Sequence, residues 1–156
     1  MMFFLVTSGK MELSARQACS IESTCVHNPS MSVVVVFVTS KTHLRMEEKS
    51  PLVAVMRRWP NVRVAALNGT AAMSAAGLQN LSAQIRAGKY PVQHSSDVLR
   101  VLLLSKFGGV YGDLDLVMLQ SLHAVVPEHN FMVGDTQEIF ASCFFALQRS
   151  HPLATG

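Results

Sequence analysis

Four apolar runs rich in β-branched and aromatic residues recur along the chain: Phe3 to Thr7, Val33 to Thr39, Val62 to Leu67 and Val110 to Leu119, each bounded by Ser, Gly, Pro or Asn. Their apolar residues are consecutive rather than alternating, which is the pattern of strands buried on both faces. Between them lie segments of helical period, Ala15 to His27, Pro51 to Trp59 and Ser96 to Phe107, with a looser Ala-rich stretch from Thr70 to Ala87. This alternation narrows the fold sharply. Parallel strands need crossover connections, and crossover helices cover both faces of the sheet. The sequence therefore predicts an α/β, Rossmann-like layer with a mostly parallel central sheet.

Local chemistry marks the helix ends. Ser14 can cap the first helix and Asn28-Pro29 ends it; Pro51 suits the first turn of the second, and Gly108-Gly109 closes the last. A length of 156 residues has room for one domain. With 49% hydrophobic and only 15% charged residues, the composition excludes intrinsic disorder. The longest apolar runs, Val33 to Val38 and Val101 to Leu104, fall far short of the roughly 20 residues of a membrane helix. Met1 to Val6 lacks a basic flank and reads as a strand rather than a signal peptide. The apolar run Ile139 to Leu147 is followed by no segment long enough for a closing helix, which predicts a single, incomplete domain over residues 1–156.

Charge and cysteine usage exclude further classes. The net charge of +3, from 13 basic and 10 acidic residues, is scattered; its densest groups are Lys41 to Arg45 and Arg57-Arg58, so no nucleic-acid surface is expected. Cys19, Cys25 and Cys143 form no CxxC pair and have no His at zinc-ligand spacing, and their odd number leaves at least one free thiol. The histidines show no HxxH or HExxH pattern and read as satisfied side chains, while the methionines read as core filling and Trp59 as packed against the layer.

The segment that bears chemistry is Ser96-Asp97-Val98-Leu99-Arg100, followed by Lys106-Phe107-Gly108-Gly109-Val110-Tyr111-Gly112-Asp113-Leu114-Asp115. If the last strand runs through the acids, Asp113 and Asp115 project to one side while Leu114 and Leu116 point into the core. Two carboxylates so close raise each other's pKa unless a divalent cation sits between them, which points to Mg²⁺ or Mn²⁺ with a nucleoside diphosphate completing the shell. The C-terminal end of a parallel strand is the expected ligand site. Asp-x-Asp also occurs in ordinary turns. Asp97 and Arg100, at i and i+3, share a helix face. They offer either a self-contained ion pair or a carboxylate for sugar hydroxyls and a guanidinium for diphosphate.

These residues resemble the Asp-x-Asp glycosyltransferases of the α-1,4-galactosyltransferase and α-1,4-N-acetylglucosaminyltransferase type. Phe3-Phe4-Leu5-Val6-Thr7-Ser8-Gly9, Ala15-Arg16-Gln17-Ala18-Cys19 with Glu22 and His27-Asn28-Pro29, His94 to Arg100, and Lys106 to Asp115 all look like that family's N-terminal half. The order Asp97, Arg100, Tyr111, Asp113, Asp115 is also similar to the donor site of the large bacterial glucosylating toxins. The resemblance implies a GT-A fold binding a UDP-sugar, with Mn²⁺ (or Mg²⁺) bridging Asp115 and the diphosphate and Asp113 contacting either the donor's ribose or the metal. It implies that Asp97 holds hydroxyls of the donor sugar, Arg100 contacts sugar or phosphate, and Tyr111 and Thr7 lie near the nucleotide. No nucleophile is assigned.

The implied activity is retaining transfer of galactose or N-acetylglucosamine to a galactose-ended glycan or glycolipid in the Golgi lumen. A membrane anchor and an acceptor-binding half would lie outside this stretch. The sequons Asn68-Gly69-Thr70 and Asn80-Leu81-Ser82 fit a lumenal enzyme. Relatives often carry Asn-Gly where this chain has Ala141-Ser142. Rival readings are a non-catalytic nucleotide-sugar-binding piece and a haloacid-dehalogenase-like phosphotransferase, whose acids are usually followed by a small residue and Thr or Val rather than Leu116-Val117-Met118.

Overall fold

The structure, a computed structural model, describes residues 1–7, 12–39, 51–123, 130–134 and 140–152. The basic group Lys41 to Arg45, Ser8-Gly9 and Ile139 lie outside the described residues. In chain order the elements are β1 (Met2–Val6), α1 (Ala15–His27), β2 (Val33–Val38), α2 (Pro51–Arg58), β3 (Val62–Leu67), α3 (Gly69–Ala75), α4 (Gln79–Ala87), α5 (Pro91–Phe107), β4 (Gly109–Gly112), β5 (Phe131–Gly134) and β6 (Phe140–Leu147). They build one six-stranded sheet in the order β3-β2-β1-β4-β6-β5. The pairings β3-β2, β2-β1 and β1-β4 are parallel, and β4-β6 and β6-β5 antiparallel.

Strand pleating distributes β1 to two cores. Met2, Phe4 and Val6 pack with Ala18, Ile21 and Cys25 of α1 and Leu52 and Val55 of α2. Phe3 and Leu5 join Leu99, Leu103 and Leu104 of α5 and Met73 of α3 on the opposite face. This is the three-layer arrangement that consecutive apolar residues require, because side chains on both faces must be covered. Val110 of β4 belongs to the first core and Tyr111 to the second.

The helix ends follow their sequence signals. Ser14 Oγ accepts from Gln17 N–H at 3.2 Å while Gln17 Oε1 accepts from Ser14 N–H at 2.9 Å, a reciprocal capping box. Pro91 opens α5, five residues before the expected Ser96, and the Ala-rich stretch splits into α3 and α4 at Gly77, whose φ is +75°. Trp59 packs on the first core and its indole N–H donates to Glu22 at 3.3 Å. All three cysteines are free thiols. Burial, with the nearby Glu22 charge second, pushes Cys25 up to about 11. Among the described residues no helix is long and apolar enough to cross a membrane.

The last predicted strand is much shorter than its apolar run. β4 ends at Gly112, and Asp113 to Leu116 form a turn in which Leu116 N–H donates to the Asp113 carbonyl at 3.3 Å. The chain then runs back along α1, held by Met118 N–H to Ser23 Oγ at 3.0 Å and Leu122 N–H to Asn28 Oδ1 at 2.7 Å. Side-chain capture by α1, rather than strand pairing, fixes this apolar segment.

Candidate functional site at the switch point of the sheet

From β1 the chain winds outward through β2 to β3, then returns over α5 to place β4 on the other side of β1. Neighbouring strands whose connections depart in opposite directions leave a crevice beyond their carboxyl ends, where ligands bind in open α/β sheets. Thr7 directly follows β1 and Asp113 directly follows β4, so the topology alone brings them to one place. An open cleft of about 800 Å³ lies there, and Thr7, Tyr111, Asp113 and Asp115 line it together with Ser14, Arg16 and Gln17 at the start of α1.

Asp113 is the centre of the arrangement. Its N–H donates to the Cys143 carbonyl on β6 at 2.8 Å, which fixes the backbone as it leaves the sheet. Its Oδ1 accepts from the Tyr111 hydroxyl at 2.7 Å and lies 3.5 Å from Arg100 Nη1. Burial, then the like charges of Asp115 and Asp97, push the Asp113 carboxyl above the ordinary aspartate value; the Tyr111 hydrogen bond and Arg100 oppose this without cancelling it. Tyr111 is also raised, chiefly by burial and by its bond to Asp113, so its hydroxyl stays a hydrogen-bond donor.

Strand parity is not what brings the two acids together. Asp113 has already left β4, and Asp115 sits in the turn, exposed, with no hydrogen bond or ion pair to a described residue. Arg100 is buried, with 7% of the residue exposed. It reaches past the end of β4 because α5 packs beneath that strand. There it stacks over the Tyr111 ring at 4.7 Å and donates to Ser142 of β6, at the carbonyl (2.7 Å) and at Oγ (3.1 Å). It pairs with Asp97 at 3.1 Å as the i,i+3 spacing anticipates, although Asp97 itself is half exposed. Thus Asp97, Arg100, Tyr111 and Asp113 form one connected network, and Asp115 and Thr7 share its cleft without joining it.

Ser96 and Ser142, which hold the guanidinium, and Arg16, which lines the cleft, carry no recognisable motif in the sequence. The Ala141-Ser142 departure is therefore located at the network itself. For a divalent cation the donor set fits. A half-buried carboxyl with a raised proton affinity and an exposed carboxylate beside it are relieved by positive charge, and the cleft leaves room for other oxygens. Among the described residues no group of three or more His, Cys, Asp or Glu gathers.

The fold and its acid-lined switch-point cleft define the class, an α/β domain of the GT-A type. The solved structure of the PaToxG glycosyltransferase shares it, with a TM-score of 0.73 over 98% of this chain and 56% of that one at 16% identity. Residues 14–132 match the glycosyltransferase sugar-binding region containing a DXD motif, and the chain belongs to that family. Members of that family generally hold a divalent metal, and Asp113-Leu114-Asp115 is this chain's one Asp-x-Asp. The chain is 28% identical over 151 residues to lactosylceramide 4-alpha-galactosyltransferase of Rattus norvegicus. It is 26% identical over 153 residues to alpha-1,4-N-acetylglucosaminyltransferase of Homo sapiens. These alignments cover 96% of the chain but 41% and 44% of the relatives, so the chain spans about two fifths of their length.

Proposed function

We propose that this chain is the donor-binding part of a retaining hexosyltransferase that uses a UDP-sugar and Mn²⁺ or Mg²⁺. The acceptor would be a galactose-ended glycan or glycolipid, with the sugar, galactose or N-acetylglucosamine, attached in α-linkage. The observation that carries the reading is the Tyr111–Asp113–Arg100 network opening, through Asp113, onto the switch-point cleft that Asp115 also lines. In this reading Asp115 and the outward side of Asp113 hold the cation, Asp97 accepts from donor-sugar hydroxyls, and Thr7 and Tyr111 border the nucleotide. Arg100 and Tyr111 fix the direction of the Asp113 carboxylate, so its orientation needs little adjustment when ligand arrives. A bound divalent cation supplies Lewis-acid stabilisation of the departing UDP. In this reading the parent enzyme acts in the Golgi lumen.

Calorimetric titration with UDP in the presence of Mn²⁺ tests the donor half of the reading, with one-site binding that is lost on chelation as the expected result. A folded sample that binds no UDP overturns it. Transfer from UDP-galactose against UDP-N-acetylglucosamine to lactosylceramide, scored by the linkage of the product, tests the rest.

A further inference from the structure

We infer that Arg16, rather than Arg100, is the arginine that meets the diphosphate of a bound nucleotide-sugar, and that Arg100 is a positioning residue; this rests on the donor-binding reading above. A guanidinium has five N–H groups in a fixed fork. In Arg100 every nitrogen already has a protein acceptor. Nε donates to the Ser96 carbonyl at 3.3 Å and Nη2 to Ser96 Oγ at 3.2 Å, with Asp97 Oδ1 at 3.1 Å. Nη1 serves the Ser142 carbonyl at 2.7 Å and Ser142 Oγ at 3.1 Å, with Asp113 Oδ1 at 3.5 Å. The Tyr111 ring stacks against the same guanidinium. A phosphate could engage this group only by displacing these partners and entering a site where 7% of the residue is accessible.

Arg16 has the complementary properties. It is exposed, makes no hydrogen bond or ion pair with a described residue, and is the one basic side chain among the described residues lining the cleft that Asp113 and Asp115 also line. Its backbone is fixed although its side chain has no partner among the described residues. The Ser14–Gln17 capping box holds the backbone on either side of it, and no acid in that first turn competes for its charge. A cleft lined both by Asp113 and Asp115 and by a guanidinium with no partner among the described residues suits a ligand that carries its own anion and takes a cation beside the acids. A diphosphate meets both demands. The acids would hold its metal and Arg16 would bond directly to its oxygens.

Parallel calorimetric titrations of wild type and Arg16→Ala with UDP and with uridine, both with Mn²⁺, separate the alternatives. Loss of a charge-assisted hydrogen bond predicts UDP affinity weakened about tenfold or more, with uridine affinity unchanged. Arg16→Lys should recover part of the loss, since it keeps the charge without the fork. The substitution is on the surface, so the ligand-free melting temperature should be unaffected. Equal UDP affinity in wild type and Arg16→Ala, or an equal loss for UDP and uridine, overturns the assignment. Failure of the wild type to bind UDP is a different result, and it removes the donor-binding reading on which the assignment stands.

Discussion

Tyr111 donates its hydroxyl to Asp113 across two residues at 2.7 Å, so the last buried ring of β4 determines where the first acid of the Asp-x-Asp turn points. The bond commits Oδ1 to the protein interior, where Arg100 Nη1 also approaches it. The remaining oxygen is then the one available to the cleft.

The titration of Asp113 should be visible in stability. Burial, followed by the charges of Asp115 and Asp97, raises its folded-state pKa, so the folded protein holds this proton more tightly than the unfolded chain does. Its contribution to stability is complete below the unfolded value of about 3.9 and is lost as pH rises through the folded value. Asp113→Asn mimics the protonated carboxyl at every pH. Without metal, the stability of this variant relative to wild type should therefore increase from about pH 3 to about pH 7. Denaturant midpoints across that range check this, and a relative stability that falls with pH would contradict the burial argument.

Arg100→Ala should destabilise the ligand-free protein strongly. Removing the guanidinium leaves Asp113, the Ser142 carbonyl and the inner face of Tyr111 without their partner in a buried setting. Breaking such a network costs about 3 kcal/mol or more. At 2–4 °C per kcal/mol for a domain of this size, that is a fall of about 6–12 °C in melting temperature. Arg100→Lys should recover little, because an ammonium cannot serve Ser96, Ser142 and Asp113 in one plane while stacking on Tyr111. A melt that barely moves would make Arg100 a surface ion-pair partner of Asp97.

Glycine at 109 is a steric requirement. Its φ is +107°, and an added Cβ would collide with the Met1 carbonyl where β4 begins its pairing with β1. Backbone carbonyls cannot swing aside as the end of a flexible side chain can. Gly109→Ala should cost at least about 2 kcal/mol. Because β4 carries Tyr111, UDP affinity should fall together with stability; circular dichroism melts and calorimetry on one sample read both.

The strands and helices flanking the first three crossovers are legible because burial on two faces leaves an unbroken apolar signature, as in Val33 to Val38. β4 reads too long for the same reason. Leu116, Val117 and Met118 continue the apolar run, while the turn that ends the strand depends on Asp113 and on Ser23, which lies 95 residues from Met118 in sequence. β5 is four residues long and carries too little pattern to register. That Thr7 and Asp113 come to one crevice is legible in the sequence because each directly follows a strand, and the two-residue spacing keeps Tyr111 beside Asp113. The burial of Arg100 is not, since it requires Ser142, 42 residues away on a strand that pairs antiparallel with β4. For Arg16 a signal exists in the first helical turn after the first strand, where a basic residue stands without an acid beside it.

Asp115 gives the sharpest separation between folding and binding. It is exposed and raises the proton affinity of Asp113, yet takes no hydrogen bond or ion pair from a described residue, so the folded protein gains nothing evident from its charge. Asp115→Asn keeps the shape and removes that charge. Without ligand the variant should be neutral or slightly more stable, within about 0.5 kcal/mol, because a repulsion is relieved at an exposed position. With Mn²⁺ and UDP the expectation reverses. Ligand that binds only the folded state raises the melting temperature in proportion to the logarithm of its concentration over Kd, and loss of a metal-holding carboxylate should remove most of that rise. Thermal shift measured with neither, either and both ligands resolves the two effects. A destabilised ligand-free variant whose response to Mn²⁺ and UDP is undiminished would make Asp115 a turn residue and leave the cation with Asp113 alone.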